Sequence, residues 1–216
     1  MKTFWVPIVA IMFIVVSSTV PAGAPPKADG LNALEKKLLG AWIGQGGCDG
    51  EMVFQADGTY HVMDWTVGAI WGTGTWKIEW NALPPTLVLS PTQRQLEFDD
   101  EANPTKVFLR TLNDKELNFK PNGAQHGEYL RGTEADDVRI RIRILDRAVR
   151  QYAWSNDKKL PANLKTLVDA KIISSKSLVD PWGKEFQYDI PKGRWPKIWT
   201  ETKGKKIIGN YRPEPE

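Results

Sequence analysis

The sequence predicts an all-β barrel followed by a small α+β domain, both placed after an N-terminal export signal. Short alternating runs of apolar and polar residues, separated by Gly, Pro, Asn and Asp, fill residues 31–132 and are typical of a barrel or sandwich. From residue 133 the apolar period becomes that of a helix. Residues 30–132 carry 9 basic and 13 acidic side chains, a net charge of −4, whereas residues 133–216 carry 18 and 12, a net charge of +6. We therefore expect two structural units.

The first 22 residues have the pattern of a secretory signal peptide. Lys2 precedes an almost wholly apolar stretch, residues 4–16, and the small residues Val20 and Ala22 fit a signal-peptidase site. We expect cleavage after Ala22, with residues 23–30 as a linker and the mature protein in the periplasm or secreted. The alternative is a retained anchor, but the apolar stretch is shorter than the ~20 residues that span a bilayer. No stable membrane span is expected after cleavage.

Residues 31–132 have the spacing of a small antiparallel barrel. Leucines at 31, 34, 38 and 39 predict a short helix before it. Asp57-Gly58 is a hairpin signal, and the alternation of Trp76, Ile78 and Trp80 with polar residues indicates one buried strand face. About eight strands would close a barrel and remove exposed edges. The predicted strands are residues 40–44, 52–55, 59–63, 74–80, 86–89, 94–98, 106–109, 116–119 and 127–130.

Three short motifs resemble those of bacterial lipocalin-like domains. They are Leu39-Gly40-x-Trp42, Phe54-x-x-Asp57-Gly58-x-Tyr60 and Gly74-x-Trp76-x-Ile78. The resemblance implies that Trp42 closes the barrel floor and that a central cavity holds a small apolar molecule. The alternative is an interior filled by the barrel's own side chains, for which five tryptophans in residues 42–80 are available.

Residues 133–216 predict a long helix, a short helix and a small antiparallel sheet. Apolar residues at 138, 142, 145, 149 and 152 recur at helical spacing and predict a helix over residues 135–154. Ile140 and Ile144 add a period-two alternation that would suit a strand, but the helix accounts for more of the segment. Pro161 suits the first turn of a second helix over residues 160–170. Predicted strands follow at residues 185–190, 195–200 and 207–211.

This C-terminal order resembles the soluble domain of type II secretion major pseudopilins. Asp180-Pro181-Trp182-Gly183 is the strongest part of the resemblance. The residue types also suit a turn, since Pro181 fixes one turn dihedral, Gly183 allows a positive one and Asp180 can cap the turn. The family's prepilin peptidase site and long apolar N-terminal helix have no match here, so a normal pseudopilus subunit is not expected. The family's calcium loop corresponds to the basic residues 201–206, so no calcium is expected. The other matching residues are Leu145, Tyr152, Asn156, Leu160, Pro161, Leu164, Leu167, Val168, Phe186 and Tyr188.

No pattern of catalytic or metal-ligating residues is found. The only histidines are His61 and His126, and the only cysteine is Cys48. No His, Cys or carboxylate cluster has metal-ligand spacing, and neither a nucleophile elbow nor a phosphate-binding loop occurs. The acidic run at residues 97–101 fits a solvated turn better than a cation site. We therefore expect no catalytic, cofactor or metal site and no enzymatic activity.

Four arginines on the predicted long helix form a candidate interaction face. Arg139, Arg143, Arg147 and Arg150 lie away from its apolar stripe and suit an acidic protein or anionic lipid surface. The alternative is a solvated face supported by pairs with nearby acidic residues. The net charge of +3 is too small to indicate nucleic-acid binding. The sequence predicts an exported, non-catalytic binding or interaction protein, linked by resemblance to type II secretion; the alternative is an extracytoplasmic carrier of a small apolar ligand.

Overall fold

The computed structural model describes residues 30–45, 50–64, 69–95, 104–121, 127–202, 204 and 207–210. The expected signal peptide, the linker up to residue 29, Cys48, His126 and the acidic run at residues 97–101 lie outside the described residues. Helix α1 (Ala33–Leu38) leads into a barrel, and a helical region with a three-stranded sheet follows. Asn32 starts α1 because its side chain accepts hydrogen bonds from the backbone N–H groups of Leu34 and Glu35.

Eight antiparallel strands follow one another in chain order and close into a barrel, in which β8 pairs with β1. This confirms the predicted closed β-barrel. The predicted turn at Asp57-Gly58 joins β2 to β3, and Gly58 has the positive φ of 79° that such a turn needs. The strands are β1 Gly40–Gly44, β2 Glu51–Phe54, β3 Thr59–Asp64, β4 Ala69–Glu79, β5 Thr86–Gln95, β6 Thr105–Leu112, β7 Glu116–Pro121 and β8 Gly127–Arg131.

One long strand replaces two of the predicted strands. Residues 86–89 and 94–95 both belong to β5, so their prediction as separate strands is wrong. The register of β4 and β5 shifts between Thr73 and Gly74, which lets Pro91 remain within the strand opposite Gly74. A Cβ atom on Gly74 would lie 2.1 Å from the carbonyl oxygen of Ser90. The close approach of the two strands therefore requires glycine at this position.

Apolar side chains of the barrel pack against one another in its interior. Phe54 and Trp76 meet edge to face with ring centroids 6.0 Å apart, and Phe119 stacks on Tyr129 at 5.0 Å. All four are at most 2% exposed. The side chains that the structure describes there form an aromatic and aliphatic core. This core also contains Leu38, Trp42, Met52, Tyr60, Val62, Ile78, Leu87, Leu89, Val107, Leu109 and Leu117.

The C-terminal unit consists of a long helix, short helical turns and a small sheet. Thr133 and Asp136 form a capping box at the start of the long helix. The sheet is antiparallel in the order β11-β10-β9. The elements are α2 Glu134–Ser155, α3 Lys165–Asp169, a 3₁₀ turn Ser175–Leu178, β9 Gln187–Asp189, β10 Lys197–Glu201 and β11 Ile207–Gly209.

The predicted second helix is shorter than expected, and its proposed start is wrong. Helix α3 begins at Lys165, so Pro161 lies before the helix rather than in its first turn. Asn163 sets this later start, because its side chain accepts a hydrogen bond of 3.1 Å from the backbone N–H of Thr166. The carbonyl of Pro161 instead accepts a hydrogen bond of 2.9 Å from the Tyr188 hydroxyl. Strands β9 and β11 are likewise shorter than their predicted ranges; residue 211 lies outside the described part of the chain.

Helix α2 is buried on two sides. Val138, Ile142 and Leu145 face a core that includes Leu167 and Ile198. On another side, Ile140 packs against Ala41 and Val53 from the outer surface of the barrel. The period-two alternation in the sequence therefore comes from a helix that is covered by both the sheet and the barrel, rather than from a strand.

Charged contacts accompany this packing. Arg141 is only 5% exposed and is paired with Asp137 one turn earlier, while its Nη1 donates to the carbonyl of Val179 at 3.3 Å. Two further pairs connect the C-terminal unit to the barrel: Arg143 with Glu51 at 2.5 Å and Lys176 with Asp57 at 2.8 Å. Of these three pairs, the one between Arg143 and Glu51 joins α2 itself to the barrel, whereas Arg141 and Asp137 pair within the helix and Lys176 belongs to the 3₁₀ turn.

Candidate functional site

The predicted arginine face of α2 forms one wall of a cleft. Arg139, Arg143, Arg147 and Arg150 are all exposed, as the helical spacing predicts. The first, second and fourth line a cavity of about 450 Å³, which we call the arginine cleft. Arg147 is not among its lining residues. The remaining lining residues are Ile142, Asp146, Trp195, Gly209 and Asn210.

Asp146 fixes the shape of the arginine cleft. One carboxylate oxygen accepts hydrogen bonds from the indole Nε1 of Trp195 at 2.7 Å and from Nδ2 of Asn210 at 3.1 Å. The other accepts from Nε of Arg150 at 2.9 Å. Asn210 also accepts a hydrogen bond of 2.8 Å from the backbone N–H of Ile198. One carboxylate on α2 thus holds the ends of the small sheet against the helix.

Each arginine side chain of the cleft is held by a described contact, and each guanidinium has N–H donors beyond those that this contact uses. Arg150 lies over the Trp195 ring with its Cζ 4.5 Å from the ring centroid, a cation–π contact. Arg139 pairs with Asp136 at 2.9 Å through Nη1, and Arg143 contacts Glu51 through Nη1 as well. A guanidinium carries five N–H donors, so these described contacts leave others on each group. Exposed ion pairs are worth only ~0–1 kcal/mol and can therefore be exchanged for a ligand's carboxylates.

Trp42, which the lipocalin resemblance predicts to close the barrel floor, joins β1 to α1 and β8. Its side chain is fully buried, and its Nε1 donates to the carbonyl of Leu38 in α1 at 2.7 Å. The Arg131 guanidinium from β8 lies 4.0 Å from the centroid of the Trp42 ring and donates to the carbonyls of Lys37 and Leu39. Partial burial lowers the pKa of Arg131. These contacts connect α1 with β1 and β8.

The other motif residues of the barrel support turns and core packing. Asp57 accepts hydrogen bonds from the backbone N–H and hydroxyl of Thr59 at 3.0 and 2.6 Å. Burial acts to raise the pKa of Asp57, but hydrogen bonds from Lys176 and Thr59 outweigh it and lower that pKa. Tyr60 is buried in the barrel core. The indole of Trp76 donates to the carbonyl of Gln55 at 3.1 Å.

The Asp180-Pro181-Trp182-Gly183 motif forms the expected turn. Asp180 is buried and accepts hydrogen bonds of 2.9 Å from the backbone N–H groups of Trp182 and Lys184, and of 2.6 Å from the Thr200 hydroxyl. Gly183 has a φ of 84°. Tyr188 packs at the edge of the same core, where burial raises the pKa of its hydroxyl to about 12. Pro161, Tyr188 and this turn thus have structural contacts and are separate from the arginine cleft.

Sequence reasoning missed two residues of the cleft and one buried histidine. Trp195 and Asn210 reach the arginines only through the fold, and no local pattern indicated them. His61, considered only as a lone histidine in a strand, is 2% exposed on the outer face of the barrel. Burial, and then the positive charge of Arg141, lower its pKa to about 3. The alternation of His61 with the core residues Tyr60 and Val62 was the one available signal that it points outward.

The described residues contain neither a metal-holding cluster nor a helix suited to span a membrane. No group of three or more His, Cys, Asp or Glu side chains is arranged to hold a metal ion there. None of the helices in this part of the chain is both long and apolar enough to span a membrane. No protein-family model matches the chain, and neither a curated protein nor a solved structure shows significant similarity to it.

Proposed function

We propose that this chain is an exported, non-catalytic binding protein that holds an acidic segment of another protein in the arginine cleft. The observation that carries the proposal is the convergence of three arginines, Trp195 and Asn210 around one cavity. Charged and amide donors with an aromatic wall suit the carboxylates and the apolar stems of Asp and Glu side chains. The net charge of +6 on residues 133–216 attracts the same partner over longer distances.

The proposed setting is extracytoplasmic, and the resemblance to pseudopilins supports an association with type II secretion. Pseudopilin soluble domains assemble with other secretion proteins, and this chain has the Asp180–Gly183 turn of that family. The barrel, by its resemblance to lipocalin-like domains, would then serve as a rigid base for α2. The signal-like residues 1–22 support export.

The alternative, a carrier of a small apolar ligand, gains no support from the barrel interior. Its described aromatic and aliphatic side chains pack against one another, and the Arg131 guanidinium lies over the buried Trp42 ring. A ligand would have to displace well-packed side chains, which costs free energy. We therefore assign binding to the arginine cleft.

The test is binding of a short Glu-rich peptide to the mature chain, measured by calorimetry. We expect the double variant Arg139→Gln/Arg143→Gln to weaken binding by at least about tenfold, because two charge-assisted contacts are lost at ~1 kcal/mol each. Arg147→Gln is the control for a single neutralisation: it removes one charge, half of what the double variant removes, from an exposed position of α2 outside the cleft lining and should change affinity by less than about twofold.

Two results would contradict the proposal. The first is equal weakening by the double variant and by a pair of neutralised basic residues elsewhere, which would indicate only a general charge effect. The second is equal affinity for a peptide in which every Glu is replaced by Gln. Tight binding of a fatty acid, with no binding of the Glu-rich peptide, would favour the carrier.

A further inference from the structure

A second cavity lies between the outer face of the barrel and the C-terminal unit. It has a volume of about 180 Å³ and is bounded by β3, β4 and β5 on one side and by the segment that holds Ser174 and Lys176 on the other. Strand register brings polar residues together on this barrel wall: Thr59 pairs with Thr75, and His61 pairs with Thr73. The wall is therefore a patch of hydroxyl groups around one imidazole, at positions where a strand would otherwise present side chains to solvent.

Two of these side chains are buried without a hydrogen-bond partner. His61 is 2% exposed and Thr73 is 3% exposed. Among the described residues, neither ring nitrogen of His61 nor the hydroxyl of Thr73 has a partner. An unsatisfied buried polar group costs ~1–3 kcal/mol. A packed apolar wall would avoid that cost, so the arrangement indicates a site that is completed by another molecule.

The chemistry of the imidazole selects the ligand. His61 is neutral, so one ring nitrogen donates and the other accepts. A carboxylate cannot donate to the accepting nitrogen, and an ammonium group cannot accept from the donating one. A hydroxyl group can both donate and accept a hydrogen bond, and the Thr73 hydroxyl likewise needs a partner that can do both. The charges beside the cavity are already paired, Lys176 with Asp57 and Arg141 with Asp137. A neutral, hydroxyl-rich molecule meets all of these conditions.

The size of the cavity limits that molecule. A volume of about 180 Å³ is below the ~300–1,000 Å³ of sites for drug-sized ligands, and it equals roughly six water molecules at ~30 Å³ each. We propose that this cavity, lined by His61, Thr73 and Thr75, binds a small polyol or a monosaccharide between the barrel and the C-terminal unit. The site is independent of the arginine cleft, since the two share no lining residue.

The experiment is a titration of the mature chain at neutral pH with glycerol, erythritol and glucose, followed by the ring resonances of His61. The chain has only two histidines, so His126→Gln assigns the spectrum. We expect a saturable shift of the His61 resonances with at least one of these probes. Thr73→Val keeps the side-chain shape but removes the hydroxyl, and it should weaken binding by about fivefold. Thr111→Val, on β6 and outside the cavity lining, should leave binding unchanged.

Thr75→Val provides a second test in case Thr73→Val does not fold, and it should also weaken binding. Unchanged His61 resonances across all three probes, with water cross-peaks to the imidazole, would overturn the proposal and assign the cavity to ordered water. Binding that neither threonine variant weakens would overturn it as well, because the ligand would then lie elsewhere.

Discussion

Among the residues that the structure describes, His61 has the pKa that is shifted furthest from its ordinary value. Its ring is enclosed between the barrel and the C-terminal unit, with Arg141 and Lys176 as the nearby cations and Asp57 as the nearby anion. Desolvation by burial, followed by repulsion from Arg141, lowers its pKa to about 3, against 6.5 for an ordinary histidine. The folded protein therefore keeps this imidazole neutral at pH values where the unfolded chain protonates it.

The first prediction is a loss of stability in mild acid. Since the folded pKa of His61 is lowered, its contribution is complete above pH ~6.5 and is lost as the pH falls below that value toward 3. The unfolded state then binds one more proton, so the free energy of unfolding should fall by ~1.4 kcal/mol per pH unit, or about 2 kcal/mol between pH 7 and 5. Urea titrations at several pH values measure this slope.

The matched variant for that slope is His61→Asn, which does not titrate. This variant should flatten the pH dependence of the free energy of unfolding between pH 7 and 5, whatever its effect on absolute stability. Asp57 does not confuse the result, because its lowered pKa places its titration below this window. A slope that persists in His61→Asn would show that another group is responsible.

At the scale of elements, α2 shows what the sequence could and could not predict. The helical stripe at Val138, Ile142 and Leu145 correctly predicted the helix and its main core. The extra burial of Ile140 against the barrel depends on a contact between segments about 90 residues apart, Val53 and Ile140, and no local period identifies the covering surface. The one available signal was the surplus of apolar residues over one helix face. The structure contains both predicted turns, Asp57-Gly58 and Asp180–Gly183, because a turn depends on interactions between residues that are neighbours in the sequence.

The second prediction concerns this helix–barrel contact. Ile140→Ala should lower the free energy of unfolding by ~2–4 kcal/mol, since it removes buried methyl groups and leaves a cavity in a fully enclosed site. Arg147→Ala, on the exposed side of the same helix, should change it by less than about 0.5 kcal/mol. Chemical denaturation of both variants makes the comparison. A cost below about 1 kcal/mol for Ile140→Ala would indicate that the barrel and α2 pack loosely.

For the whole molecule, the candidate site arises from the way the chain returns to α2. The sequence predicted an exposed arginine face, which the structure places as expected. It could not predict that Trp195 and Asn210, 49 and 64 residues beyond Asp146, would turn this face into a cleft by bonding to that carboxylate. Arg147 lies outside the lining, and helical spacing does distinguish it: at about 100° per residue it lies roughly 80° around the helix from Arg139, whereas Arg143 and Arg150 lie within about 40°.

The central claim is that an acidic segment binds in the arginine cleft, and the indole N–H resonances of the chain without residues 1–22 test it most directly. Trp195 lines the cleft. Trp154, which is 90% exposed near the end of α2 and outside the cleft lining, is an internal control. On addition of the Glu-rich peptide, we expect a saturable shift of the Trp195 indole resonance and none of Trp154. An unchanged Trp195 resonance at saturating peptide, or equal shifts of both indoles, would contradict the account.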